Sequence, residues 1–406
     1  MKKTIGYLIP EFPGQTHIFF WREIKALKSA GMEIEIISTK LPHSKIISHS
    51  WSKEAQEKTT YLFPTTQYFW GMIVELLSCG LRGWFKCFQS ILQAQQLSLY
   101  ERLRLVAFVF IGAELSYLAK KHQWQHIHVH SCANSANIAM FASLLSGITY
   151  SLTLHGPLSD YGSNQEQKWK YATFAIIITQ KLYDEVKQKL DGNLPKHLAI
   201  APMGVDPVVF QRTISYQPWE TQKTCRIFSC GRLNPCKGHA DLIEAIAMVN
   251  QEGIDIELKI AGEDEQGGEG YHKQLDKLVQ ELNLEKSVHL LGAVSEEKVR
   301  QYLEEAHIFA LASWKEPLGV AIMEAMMMEV PIIVTGEGGV KELVDHEVNG
   351  LLVSPKSPKV LAEAIKKLLN NPQLSCALSK ASRERVIKDF SSEKSAKIIT
   401  EFLSKN

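Results

Sequence analysis

Short runs rich in apolar side chains that alternate with amphipathic helical segments constrain this chain more than any other feature. IGYLI (5–9) is the first such run, ended by Pro10. Residues 17–29 then carry apolar side chains at helical spacing, Gly31 stops that helix, and EIEIIS (33–38) resumes as a strand. A strand buried on both faces reads as a continuous apolar run, the mark of a parallel sheet covered by helices. HIHVH (126–130), YSLTLH (150–155), FAIIIT (174–179) and HLAIAPM (197–203) repeat the pattern. A second series follows in CRIFSC (225–230), IELKIAG (256–262), VHLLG (288–292), IFALAS (308–313), PIIVTG (331–336) and GLLVS (350–354). The alternation predicts two doubly wound α/β domains in tandem, and 406 residues are enough for both. The polar, proline-bearing stretch 204–222 reads as a linker. It sets the expected domains at 1–204 and 205–390, with a final helix in 391–406 crossing back to the first.

The totals exclude several classes. A net charge of +1 advertises no large basic field for nucleic acid. Seven scattered cysteines, none at metal-ligand spacing, read as reduced thiols of a cytoplasmic protein. The start, MKKTIGYLIPEF, has too short an apolar run for a secretory leader. No stretch of 18 uncharged apolar residues offers a membrane span. No G-x-G-x-x-G follows IGYLI, which removes a dinucleotide-dependent dehydrogenase.

Residues 65–120 break the rhythm. They are crowded with aromatic and aliphatic side chains, with Arg82, Lys86, Arg102, Arg104, Lys120 and Lys121 among or beside them. Two or three amphipathic helices packed on the first domain account for this composition. A surface that dips into an anionic bilayer, on the inner face of the membrane, accounts for it as well.

Two stretches carry the chemistry. KEPLGVAIMEAM (315–326) follows the apolar run IFALAS and so sits past the carboxyl end of a strand, where open α/β sheets bind ligands. Pro317 suits the first position of a helix, which would put Glu316 at the cap and Glu324 two turns further in. Eight helical residues rise roughly 12 Å. That is too far for a glycosidase-type carboxylate pair, so the two must address different parts of one elongated ligand. The amides of Leu318, Gly319 and Val320 would face an anion. SCGRLNPCKGH (229–239) follows another core strand, and Arg232 and Lys237 flank its turn. Two cations at a strand–helix junction suit a diphosphate. The plainer readings are a solvated cap glutamate and solvated loop cations.

Taken together, GRLNPCKG, IAGEDEQGG, LLGAVSEEKV, Glu316-x7-Glu324 within KEPLGVAIMEAMMMEVPIIVT, and GEGGVKELVDHEVNGLLV resemble the retaining nucleotide-sugar glycosyltransferases of family 4. Upstream, IAPMGVDPVVF and LHGPLSDYG resemble that family's interdomain segment and strand-end histidine. PEFPGQTHIFFWREIKALKSAG resembles the exopolysaccharide and colanic-acid-type branch, with Gly14, Gln15 and Thr16 where that branch more often has Ser-Glu-Thr.

The resemblance implies a GT-B fold, two Rossmann-like domains facing a central cleft, and transfer of a sugar from a UDP- or GDP-linked donor. The acceptor would be a glycan or lipid-linked. By the same resemblance, Arg232 and Lys237 would neutralise the leaving diphosphate without a metal ion or other cofactor. Glu324 would hold the ribose and Glu316 the sugar hydroxyls. Leu318, Gly319 and Val320 would offer amides, Gly14 would admit the diphosphate, and Gly262 and Gly292 would pack on the base. His155 would face the reacting side of the sugar; a satisfied strand-end histidine reads equally well from the sequence. His128 and His130 read as structural or acceptor-side. The competing classes are a GT-B protein that binds sugar nucleotides without catalysis and a GT-B epimerase.

Overall fold

A computed structural model describes residues 3–14, 17–42, 51–63, 68–264 and 270–405. The chain divides into two compact units. One holds the amino-terminal part up to Pro202 together with Ser395–Asn406; the other holds Met203–Lys394. Each is built on a parallel sheet with helical connections, as the alternating runs require.

The first unit has strands β1 (Thr4–Glu11), β2 (Glu33–Lys40), β3 (Thr59–Tyr61), β4 (His126–His130), β5 (Thr149–Leu154), β6 (Phe174–Ile177) and β7 (His197–Ile200). Their order is β3-β2-β1-β4-β5-β6-β7. Residue Ile5 of β1 therefore lies beside Ile34 on one side and His126 on the other. The chain winds one way from β1 and the other way from β4, so β1 and β4 enclose a topological switch point. The last helix, Ser392–Lys405, belongs to this unit over its length from Ser395. Phe402 packs at a tilt against Phe174 and His197, at 5.1 and 5.8 Å between ring centres.

The second unit has β8 (Cys225–Cys230), β9 (Ile256–Ala261), β10 (Val288–Leu290), β11 (Ile308–Leu311), β12 (Ile332–Thr335) and β13 (Leu351–Val353). The order is β10-β9-β8-β11-β12-β13, with the switch between β8 and β11. Ile227, Leu258, Ile260, Ile308, Ala310 and Ile333 form the strand side of its core.

The expected linker at 204–222 is instead part of the second unit. Val205 exchanges backbone hydrogen bonds with the segment around Phe390 and Ser392, and Phe210 is fully buried. The Arg212 guanidinium donates to the carbonyls of Leu303, Glu304 and Met328, at the carboxyl ends of two helices. Cations are favoured there by the helix dipole. Proline and polar residues in this stretch report irregular backbone, and irregular backbone can still be pinned.

Residues 69–121 form three helices, Phe69–Ser78, Gly80–Gln93 and Leu99–Lys121. The amphipathic sense of the middle helix is inverted, whereas Leu99–Lys121 buries Leu105, Val109, Ile111, Leu115 and Leu118 as well as exposing a second apolar face. The helix Gly80–Gln93 buries Gly83, Cys87 and Ser90, while Leu81 (90% exposed), Phe85 (65%), Phe88 (60%) and Leu92 stand outward. Trp70, Val74 and Leu77 do the same on the helix before it, and Leu99, Leu103, Val106 and Phe110 on the helix after. The cause is close packing through small residues. A Cβ on Gly71 would sit 2.4 Å from the Tyr117 ring, and one on Gly112 2.9 Å from the Ala142 amide. At Gly71 the missing side chain admits a ring, and at Gly112 it lets the backbone of the helix Asn134–Ser146 come close, so these positions face inward while the bulky residues named above stand outward. Among the described residues no helix is long and apolar enough to cross a membrane.

Candidate functional site

In the second unit the loops that follow β8 and β11 are joined across the switch point. The Trp314 amide donates to the Cys236 carbonyl at 2.8 Å, and the Trp314 indole to Asp241 at 2.6 Å. Gly238, at φ +66, caps the helix His239–Gln251. A side chain there would meet the Ala312 carbonyl at 2.0 Å, so only glycine lets the two loops close.

This closure brings Lys237 to Glu316, 79 positions later. Lys237 Nζ lies 2.5 Å from Glu316 Oε2, and the Ser313 hydroxyl donates to the same oxygen at 3.2 Å. Glu316 is buried, Lys237 half-buried and Arg232 exposed on the same turn. The two charges that the sequence assigns to separate parts of a ligand are thus already partners.

The helix after Glu316 starts later than its proline predicts. It spans Val320–Met327, with Gly319 as its cap at φ +92. Pro317 lies in the preceding turn, because Glu316 is held in a strand-like bridge with Gly338, and the Gly339 amide donates to its carbonyl at 3.0 Å. The first helical bond runs from Met323 N–H to the Gly319 carbonyl. The amides of Gly319 and Val320 therefore stand at the free start of the helix, while Leu318 precedes the cap and is buried. Glu324 lies one turn inside, not two, and is buried. It approaches the end of β8: burial and the nearby Glu324 carboxylate push the Cys230 thiol up to about 12.

Three glycines have neighbours of their own. A Cβ on Gly262 would be 1.9 Å from the Gly231 carbonyl, so its missing side chain admits the turn that carries Arg232. Gly292 accepts a backbone bond from Gly262 at 2.9 Å and faces the Glu263 carboxylate. Gly14 makes room for the His17 imidazole, whose Nδ1 would be 2.5 Å from a Cβ there. Gln15 and Thr16 lie outside the described residues, as does 265–269 of the IAGEDEQGG stretch. His239, buried at the first position of its helix, rests near Gly231; burial pushes its pKa down to about 4, so it supports the loop as a neutral ring.

In the first unit His155 follows β5 directly and is half-buried. Its Nε2 lies 2.9 Å from His130 Nδ1. His130, at the end of β4, places Nε2 2.9 Å from Glu23 Oε2, a close pair whose N–H is not aimed straight at the oxygen. The Tyr7 hydroxyl donates to that same Glu23 oxygen at 2.5 Å. Glu23, His128 and His130 bring ligand-type atoms within 4.8 Å of one another. The His128 nitrogens are nevertheless engaged by Ser151 at 2.7 Å and Thr153 at 3.0 Å. This group works as a hydrogen-bond network. Glu23 and Tyr7 escaped the sequence reading; an acidic residue on the inward face of the first helix was the available signal.

Residues 212–385 match the family described as glycosyl transferases group 1. The putative colanic acid biosynthesis glycosyltransferase WcaL of Escherichia coli is 24% identical over 410 residues, with 96% of each chain covered. The amylovoran biosynthesis glycosyltransferase AmsK of Erwinia amylovora is 29% identical over 215 residues, 51% of this chain and 50% of that one. An uncharacterized glycosyltransferase of Methanocaldococcus jannaschii is 28% identical over 266 residues, and the match spans 64% of its length. Among solved structures, Anabaena Alr3699/HepE in complex with UDP-glucose superposes with a TM-score of 0.74 at 18% identity, over 99% of this chain and 100% of that one. Two Rossmann-like units, each with its polar loops at the sheet's switch point, define a protein of the GT-B class. The region that matches the group 1 glycosyl transferases, residues 212–385, lies in the second unit.

Proposed function

We propose that this chain moves a sugar from a nucleoside-diphosphate donor to a glycan or lipid-linked acceptor in the synthesis of a cell-surface polysaccharide. The reaction retains anomeric configuration and needs no divalent ion. The observation that carries this reading is the joined pair of loops in the second unit. They set a fixed cation, Lys237, on Glu316 just ahead of the helix Val320–Met327, with Arg232 exposed on the same turn as Lys237. Fixed charge and peptide dipoles of this kind stabilise the charge that develops on a departing diphosphate. Relatives named for colanic acid and amylovoran synthesis support the polysaccharide setting, and a neighbour solved with UDP-glucose supports a UDP-sugar donor over a GDP-sugar.

In this reading Glu324 accepts hydrogen bonds from the ribose. Glu316 shares Lys237 with the donor and holds sugar hydroxyls. Leu318, Gly319 and Val320 line the sugar and phosphate. Gly14 admits the diphosphate, His155 meets the donor sugar, and Gly262 and Gly292 border the base. The departing phosphate oxygen takes the acceptor's proton on the face it leaves, which accounts for retention without a second carboxylate.

A panel of UDP- and GDP-sugars, assayed for hydrolysis and for thermal stabilisation in the presence of a chelator, tests this. One UDP-sugar is expected to be turned over at an undiminished rate. Loss of turnover on chelation removes the metal-free mechanism, and stabilisation without any hydrolysis or transfer favours a non-catalytic binding protein.

The outward apolar faces of the helices in 69–121 support a peripheral place on an anionic membrane, which suits a lipid-linked acceptor. The helix Gly80–Gln93 has Arg82 and Lys86 beside its outward apolar stripe and no acidic residue at all. That combination of buried-in-lipid stripe and cationic flank is the pattern of an interfacial helix. Co-flotation with phosphatidylglycerol vesicles is expected for the native chain. It should be lost on replacing Leu81, Phe85 and Phe88 together by serine, with hydrolysis of the donor intact. Failure of the native chain to float removes the membrane assignment.

A further inference from the structure

We infer that Glu23 and His130 are positioning residues that hold His155 in one tautomer, with the proton on Nε2 and the lone pair on Nδ1. The inference rests on the reading above in which His155 meets the donor sugar. It assigns His155 the role of hydrogen-bond acceptor, through Nδ1, toward one sugar hydroxyl.

The residues come from four elements that share one end of the sheet: Tyr7 on β1, Glu23 on the helix Ile18–Ser29, His130 on β4, and His155 just past β5. Tyr7 and His130 are fully buried and Glu23 nearly so. Burial, reinforced by the Glu23 charge, raises the Tyr7 pKa well above its ordinary value, so the phenol keeps its proton and can only donate it. Glu23 Oε2 therefore receives Tyr7 O–H at 2.5 Å, and a second approach comes from His130 Nε2 at 2.9 Å. Even off axis, a bare nitrogen lone pair 2.9 Å from a carboxylate oxygen is repelled while an N–H is attracted, so His130 Nε2 carries a proton.

A neutral imidazole has only one N–H. Burial lowers the His130 pKa well below its ordinary value and that of His155 to about 3, so neither ring takes a second proton near neutrality. His130 Nδ1 is then a lone pair. His155 Nε2, 2.9 Å away, must supply the hydrogen between them. The order of protons runs from His155 to His130 to Glu23, anchored by the carboxylate, and leaves Nδ1 of His155 as an acceptor. His128 does not branch the chain, because both its nitrogens are tied to Ser151 and Thr153. Phe20 packs edge-on against His130 and His155, with ring centres 4.8 and 5.6 Å away, which restricts rotation of either ring. A carboxylate orienting a histidine through its second nitrogen is a recurrent catalytic device; here one further histidine extends it.

The test uses the full-length chain. Long-range ¹⁵N–¹H correlation spectra of the histidine rings are expected to show His155 protonated on Nε2 alone. Glu23→Leu, which removes the anchor, is expected to yield a mixture of His155 tautomers and a fall of about 10–100-fold in kcat with donor KM unchanged. Placed on His155→Ala, the same change should cost nothing further, since the two act in series. Glu23→Gln keeps the acceptor oxygen and the volume; it should restore the Nε2–H tautomer and most of the activity, and it serves if the leucine variant does not fold. An Nδ1–H tautomer in the native chain overturns the inference, as does a Glu23→Leu penalty that persists in full on His155→Ala. Full turnover by His155→Ala overturns the contact with donor, while the spectra still decide the order of protons.

Discussion

Replacing Lys237 by alanine is expected to cut turnover at least ~100-fold, about 2.7 kcal/mol of lost transition-state stabilisation. The same change should also lower the stability of the second unit. Lys237 is the partner of the buried Glu316 carboxylate at 2.5 Å, and removing it leaves that charge with the Ser313 hydroxyl at 3.2 Å. Breaking a fully buried pair typically costs 3–5 kcal/mol; with Lys237 half-buried, about 1–3 kcal/mol is the expectation. Arg232→Ala should match it in turnover but not in stability, because Arg232 is exposed on the turn and surface substitutions usually fall within ~0.5 kcal/mol. The double variant Lys237→Ala with Glu316→Gln separates the effects, since removing the stranded charge should recover stability and leave turnover low. Steady-state kinetics on the best donor and denaturant unfolding measure both. Near-normal turnover by either single variant contradicts the diphosphate assignment.

Gly338→Ala is expected to destabilise the second unit by on the order of 3 kcal/mol and to raise the donor KM. Gly338 has φ +78, and an added Cβ would sit 2.0 Å from the Glu316 carbonyl oxygen. The contact is backbone to backbone, so no side chain can swing away to relieve it. The bridge between Gly338 and Glu316, and the bond from the Gly339 amide to the Glu316 carbonyl, must yield instead. Moving Glu316 draws its carboxylate off Lys237 and disturbs the turn before the helix Val320–Met327. Gly253→Ala is the control. Gly253 has a similar φ of +83 but open space around it, so it should cost only the conformational term, about 1 kcal/mol. Unfolding midpoints that are equal for the two variants would show that the clash is relieved without cost and that Glu316 is not held from this side.

The same contacts show where reading residues in order succeeds. Most strands of both sheets were legible because each is a short run rich in apolar side chains, and that property is local; β3, three residues long with two threonines, escaped it. The turn with Arg232 and Lys237 was legible for a related reason: cations that follow directly on a core strand are placed by the strand itself. Pro317 misled because proline fixes one dihedral angle and nothing else. The bridge to Gly338 held Glu316 back and delayed the helix to Val320. The stretch 204–222 misled because composition reports the absence of regular hydrogen bonding, and Arg212 found its acceptors on helix ends about 90 or more positions away.

The sequence by itself determined the two parallel sheets, the strand ends at which polar residues collect, and the identity of the charged groups. Those depend on periodicity and on the residue types within a few positions. Only the tertiary structure decided which groups became partners: Lys237 with Glu316, His155 with His130 and Glu23, and the small face of the helix Gly80–Gln93 with the core while its bulky face turned outward. The physical reason is that strands distant in the chain become neighbours where winding reverses direction. β8 meets β11 and β1 meets β4 there, and burial at those meeting points sets which protons and charges can persist.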